Sequence, residues 1–237
     1  MKQPTMPHSE SGFTLVELLI TMVISGVIMA AVYAAYTVNQ KVYTEQQHVV
    51  YMQQNIRASL QVLGREIRMA GYNPAGGSGS GIVDALPGSV RFAMDLNEDG
   101  DVTDTDEDVS YQLYVAGDGI KKLGRKDHTP PPPPPPASPP VNQAVAEHID
   151  AIEFYYTLVK KVGGAVTVSQ KLNPTAAELS EIQAVTMSIL ARAAYPDPKF
   201  TNTMTYQTAS GAAWGPYNDN LRRRLLVTTV QCRNMGL

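Results

Sequence analysis

The sequence predicts an α+β protein: one long N-terminal helix followed by a head built on a mainly antiparallel β-sheet. Three observations carry this expectation. Residues 13–36, FTLVELLITMVISGVIMAAVYAAY, form an apolar run in which Glu17 is the only charge. From Val38 onward, apolar residues keep a helical period to about residue 70. Beyond the glycine and proline that stop it, the chain breaks into short runs rich in β-branched and aromatic residues, which read as strands.

The first twelve residues, MKQPTMPHSESG, are polar and carry Lys2. The apolar run after them spans about 36 Å as a helix, enough to cross a hydrocarbon core of about 30 Å. A secretory signal places its small-residue cleavage site after the apolar stretch. Here the small residue, Gly12, stands before it. A cut at that point removes only the polar leader and leaves the helix on the mature protein. Glu17 is the anomaly, because a carboxylate costs roughly 2.5–3.5 kcal/mol near the bilayer centre. It lies about one turn from a new N-terminus at Phe13, so it can pair with the freed α-amine of a neighbouring subunit in an apolar bundle. The plainer reading is an edge residue tolerated at the lipid headgroups.

Gly12-Phe13-Thr14-Leu15-Val16-Glu17 resembles the class III signal of type IV prepilins and type II secretion pseudopilins. The resemblance implies cleavage between Gly12 and Phe13 by a prepilin peptidase and N-methylation of Phe13. It also implies that Glu17 guides docking into a growing filament. With it come an expected fold, the type IV pilin-like plan, and an expected location: the inner membrane as a single-pass protein, then a pilus filament.

The next element continues the helix. Val49, Met52, Ile56, Leu60, Leu63 and Ile67 recur at helical steps, with Gln53, Gln54, Arg57, Gln61 and Arg65 between them. One helix from Phe13 to Ala70 would be about 87 Å long. Its lower half is membrane or filament core and its upper half one wall of a soluble head. Gly71 and Pro74 end it. Strands are expected at Val90–Met94, Ser110–Val115, Ile149–Val159, Ile182–Ala191 and Arg223–Val230, with a short helix at Ala176–Ile182. The expected organisation is a leader (1–12), an anchor helix (13–36), its amphipathic continuation (37–70) and a head (71–237). Within the head lie an acidic loop at 95–108 and a proline-rich loop at 129–140.

Several head segments add to the resemblance. GREIRMAGY from Gly64, IDAIEFYY from Ile149, VTMSILAR from Val185 and RLLVTTVQCRN from Arg224 are similar to the PilW family of minor pilins. The J-type pseudopilins of type II secretion share this plan.

Two head features carry possible chemistry. Residues 95–106, DLNEDGDVTDTD, match the front of an EF-hand-type loop. Asp95, Asn97 and Asp99 offer side-chain oxygens, Gly100 takes the sharp turn, and Asp101 offers a carbonyl. Asp106, or Glu107 after it, stands where a bidentate Glu usually closes the site. Hard oxygen donors around one centre point to structural Ca²⁺; the alternative is a solvated acidic hairpin loop. The run Pro130–Pro136 reads as a stiff polyproline surface loop.

Composition removes other classes. The net charge of −3 hides eight acids and no base in residues 95–108, so the remainder is mildly positive. No long basic stripe makes nucleic acid a primary partner. Arg222, Arg223, Arg224 and Arg233 read as a solvated strand end, with DNA or anionic lipid as the alternative. Cys232 is the only cysteine, so no intrachain disulfide forms, and a buried thiol is expected there. Catalytic motifs of the H-E-x-x-H, G-x-S-x-G or phosphate-loop kind are absent from the sequence.

The resulting expectation is a non-enzymatic minor pilin of a Gram-negative bacterium that helps to initiate or cap pilus assembly. Its partners would be the prepilin peptidase, other minor pilins and the major pilin. The rivals are a J-type minor pseudopilin and, from another class, a membrane-tethered enzyme or sensor with a pilin-like anchor.

Overall fold

The computed structural model describes residues 12–129 and 141–235. Residues 1–11 of the expected leader and the proline run at 130–140 lie outside the described residues. Helix α1 runs from Leu15 to Met69 without interruption. The chain divides into two compact units, one ending at Gln47 and one beginning at His48.

In the first unit the apolar side chains of α1 are exposed, Phe13 before it by 88%. The helix is long and apolar enough to cross a membrane.

Among the described residues, the second unit holds the rest of α1 and eleven strands. Strands β1 (Gly81–Ala85), β2 (Ser89–Ala93), β3 (Asp108–Val115), β4 (Lys121–Asp127) and β5 (Gln143–Glu147) form one sheet in that order. A second sheet has the order β11-β8-β6-β7, from Arg223–Gln231, Ile182–Arg192, Ile149–Val162 and Ala165–Lys171. A ribbon of β9 (Tyr206–Gln207) and β10 (Ala213–Trp214) completes the strands, and a 3₁₀ helix covers Ala176–Glu181. All pairings among the described strands are antiparallel. The head is thus α+β, with its strands in two main sheets where a single one was expected.

The helical stripe does what its period predicts. Met52, Ile56, Leu63 and Ile67 are buried, and Val49 and Leu60 pack against them. They meet Phe92 and Tyr111 of the first sheet and Phe154, Tyr156, Met187 and Ile189 of the second. Each such side chain contributes about 1.5–3 kcal/mol when fully buried. At the end of α1, Gly71 takes φ +81°, the left-handed C-cap region that favours glycine. Its N–H donates to Ala93 O at 3.1 Å, which ties the helix end to β2.

Among the described residues, six strands fall where none was expected: β1, β4, β5, β7 and the two-residue β9 and β10. In β4 (KKLGRKD) three lysines and an arginine obscure the strand pattern, yet Lys122 and Arg125 are buried against carboxylates. A Cβ at Gly124 would come within 2.7 Å of the Tyr114 ring, so glycine admits that ring where the register shifts. β1 and β5 are short, and β7 is exposed along its whole length, so none carries a strong alternating pattern.

Candidate functional site

At the N-terminus, Gly12 and Phe13 precede α1 and are exposed. Glu17 folds back on Thr14: its Oε2 accepts from Thr14 N and Thr14 Oγ1, both at 2.9 Å. Thr14 Oγ1 in turn accepts from Glu17 N at 3.3 Å. This reciprocal arrangement is a capping box. It satisfies amides that would otherwise be orphaned at the helix start and puts a carboxylate at the positive end of the helix dipole. The sequence reading gave Glu17 an intermolecular partner and missed this intrachain one, although the Thr-x-x-Glu spacing is the signal for it.

The acidic loop is the connection between β2 and β3, whose register pairs Ala93 with Asp108. Asp95 is fully buried, and its carboxylate accepts from Glu98 N at 2.6 Å and Gly100 N at 3.0 Å. Asn97 Oδ1 accepts from Asp99 N, Asp99 Oδ1 from Asp101 N, and Asp101 Oδ1 from Thr103 N. Three successive turns of this kind coil the loop, because Asn and Asp accept from the amide two residues on. One oxygen each from Asp99, Asp101 and Asp104 lie within 4.8 Å of one another.

The expected ligand set is thus only partly assembled. Asp106 does not join the cluster: its Oδ1 accepts from Arg125 Nη1 at 2.7 Å. Asp104 takes its place beside Asp99, with Asn97 Nδ2 donating to both. Glu107, only 1% exposed, accepts from Leu96 N, Asn97 N and Asp104 N and closes the loop as a hydrogen-bond hub. The Asp101 amide holds the Asp99 carboxyl below its ordinary pKa. Asn97 also draws Asp104 down, but desolvation and the facing Asp99 outweigh it, so Asp104 sits above the ordinary value. Oxygen donors alone, with paired carboxylates in mutual repulsion, are a set suited to a hard cation.

The loop is fastened to its surroundings. Tyr72 donates through its hydroxyl to Glu98 at 2.9 Å and accepts from Asp95 N at 2.8 Å. A Cβ at Gly77 would lie 1.7 Å from Gly100 O, so the 73–81 turn presses directly on the sharp turn of the loop. Arg125 links Asp106 to Glu66 of α1, Nε to Oε2 at 3.0 Å, and Tyr111 also donates to Glu66. Burial pushes the Tyr111 hydroxyl far above its usual pKa. No motif in the sequence marks Glu66 and Arg125 as partners, because they are far apart in the chain.

Other expectations are corrected or met. Of the four arginines expected at a solvated strand end, Arg224 and Arg233 are exposed there, whereas Arg222 and Arg223 are tied into ion pairs. Arg222 pairs with Asp197, while Arg223 pairs with Asp150 and Asp219 and stacks over Tyr217. With buried Glu153, which accepts from Thr208 and Ser210, these pairs pin residues 193–222 to the sheet. Cys232 is buried, and burial pushes its thiol up to about 12.

Comparison with known proteins adds three matches. Residues 7–33 match the prokaryotic N-terminal methylation motif. Among solved structures, the chain is similar to a type IV-like pilin, TTHA1219 from Thermus thermophilus, at 16% identity and a TM-score of 0.41. That match covers 78% of this chain and 98% of the other. No curated protein matches the chain in sequence. The family described as Type IV Pilus-assembly protein W matches residues 110–234, more than half of the chain and almost all of the head from β3 onward. The chain therefore belongs to the type IV pilus-assembly protein W family.

Proposed function

We propose that the protein is a non-enzymatic minor pilin that helps to initiate or cap a type IV pilus. In this reading it is held in the inner membrane by α1 before assembly. The prepilin peptidase cuts between Gly12 and Phe13, Phe13 is methylated, and the subunit then joins other minor pilins and the major pilin. The observation that supports it best is the pairing of Gly12-Phe13 and Glu17 with an exposed apolar helix, ahead of a head of this family. Glu17 has two roles in the reading. Before assembly it caps its own helix through Thr14, and on docking it exchanges those exposed hydrogen bonds for the ammonium of a neighbouring subunit. We further propose that the acidic loop takes one Ca²⁺, with Asp99, Asp101 and Asp104 as its carboxylates, Asn97 beside them and Asp106 free to join on leaving Arg125.

Intact-mass analysis of protein extracted from membranes tests the processing step. The expected mass lacks residues 1–12 and carries one added methyl group. A full-length chain in cells that hold the peptidase overturns the reading. Deletion of the gene should then reduce surface pili. Loss of protein secretion with normal pili would instead assign the chain to a type II secretion pseudopilus.

A further inference from the structure

A groove of about 760 Å³ runs along the outer face of the last turns of α1, and both its floor and its rim are chemically distinctive. Val62, Met69 and Leu96 give it apolar surface, with Val62 and Leu96 more than 40% exposed. Arg65, Arg68 and Arg233 stand around it and are exposed. Among the described residues, none of the three forms a salt bridge. The two acids in the wall, Glu66 and Asp106, are both held by Arg125 and do not neutralise them. The groove is therefore net positive around an uncovered apolar strip.

The backbone that carries the arginines is anchored. Arg65 and Arg68 are three residues apart on one helix and so share a face. Asn234, next to Arg233, donates to Arg68 O at 3.3 Å, which fixes the tail against the helix end. Guanidinium groups favour carboxylates in paired hydrogen bonds.

We propose that this groove docks an acidic peptide segment of a protein partner, with carboxylates on Arg65, Arg68 and Arg233 flanking one or two apolar side chains laid on Val62, Met69 and Leu96. The charge complementarity selects an anion, and the apolar strip selects a peptide over a bare polyanion. The site lies wholly in the head and goes beyond the assembly role proposed above. Its failure would leave cleavage and filament incorporation untouched.

The test uses the full chain in detergent micelles and a fluorescein-labelled peptide of sequence Glu-Glu-Leu-Leu-Glu-Glu, read by anisotropy. Binding should weaken about tenfold or more for Arg65→Gln, Arg68→Gln or Arg233→Gln combined in pairs. It should weaken similarly between ~0.05 and ~0.5 M salt. Arg57→Gln and Arg224→Gln, exposed outside the groove, should bind as the wild type does, and Arg65→Lys should lose less affinity than Arg65→Gln, since it keeps the charge but not the paired hydrogen bonds. Melting temperatures of all variants should match the wild type, since the replaced groups hold no carboxylate. Absence of binding at millimolar peptide, equal binding of the Gln-Gln-Leu-Leu-Gln-Gln analogue, or equal loss in the Arg57 and Arg224 variants overturns the proposal. Tighter binding of a thymidine oligonucleotide of equal charge overturns it in favour of a polyanion surface.

Discussion

Glu17 closes the start of α1 and, in the function proposed above, also makes the filament contact. As the closing residue of a capping box it accepts from Thr14 N and Oγ1. Glutamine can fill the same position in such a box, because the box needs an acceptor and not a charge. An ammonium partner in an apolar bundle needs the charge. The two roles therefore separate in two variants. Glu17→Gln should keep the helix start, be cleaved and be methylated, yet fail to join filaments. Glu17→Ala should lose both the cap, at a cost of about 0.5–2 kcal/mol to the helix, and incorporation. The measurement is the amount of each variant in sheared filaments relative to membranes. Wild-type incorporation of Glu17→Gln would show that Glu17 acts through capping and not through its charge.

At the scale of elements, Arg125 joins three of them: Glu66 on α1, Asp106 on the acidic loop and its own strand β4. Its side chain is only 10% exposed, so removing Glu66 leaves it with the half-exposed Asp106 alone and takes the acceptor from the Tyr111 hydroxyl. Glu66→Ala should therefore cost about 1–3 kcal/mol in denaturant unfolding of a soluble fragment beginning at Val38. Changing Arg125 to Met and Glu66 to Gln together should cost less, since the buried charges go while Gln keeps an acceptor for Tyr111. Equal loss in the single and double variants would show that packing of the site, and not charge, sets its stability. This ion pair also explains what the sequence conceals. The stripe Met52-Ile56-Leu63-Ile67 was legible because a helix repeats its pattern locally, and β6, β8 and β11 were legible because they are apolar and long. Strand β4 was not, because its lysines and arginine are made acceptable by residues from elsewhere in the chain. The same holds at the candidate cation site. The spacing Asp95-Asn97-Asp99 was readable, whereas the capture of Asp106 by Arg125 depends on a tertiary neighbour.

For the whole head, the question is what replaces a covalent staple, since Cys232 is the only cysteine and is buried as a thiol. The acidic loop is well placed for that task. It touches the end of α1 through Tyr72, the 73–81 turn through Gly77 and Gly100, and β4 through Arg125. An ion bound there only in the folded state adds stability by mass action, about 2.7 kcal/mol at a hundredfold excess over its dissociation constant. In a head of this size that corresponds to a rise of roughly 5–10 °C in melting temperature. Extracellular calcium modules bind at roughly 0.1–1 mM, so the rise should appear at millimolar calcium and reverse with chelator. The informative variant is Asp99→Asn with Asp104→Asn, which keeps side-chain oxygens but removes two of the three clustered charges. Without calcium it should melt at or slightly above the wild-type temperature, because the repulsion between facing carboxylates is relieved. With calcium it should lose most of the rise. The two effects have opposite signs, and a merely acidic turn predicts only the first. A wild-type melting temperature that ignores calcium, or a variant that gains as much from it as the wild type does, would reduce the loop to a connection whose order comes from Asp95, Glu107 and Arg125 alone.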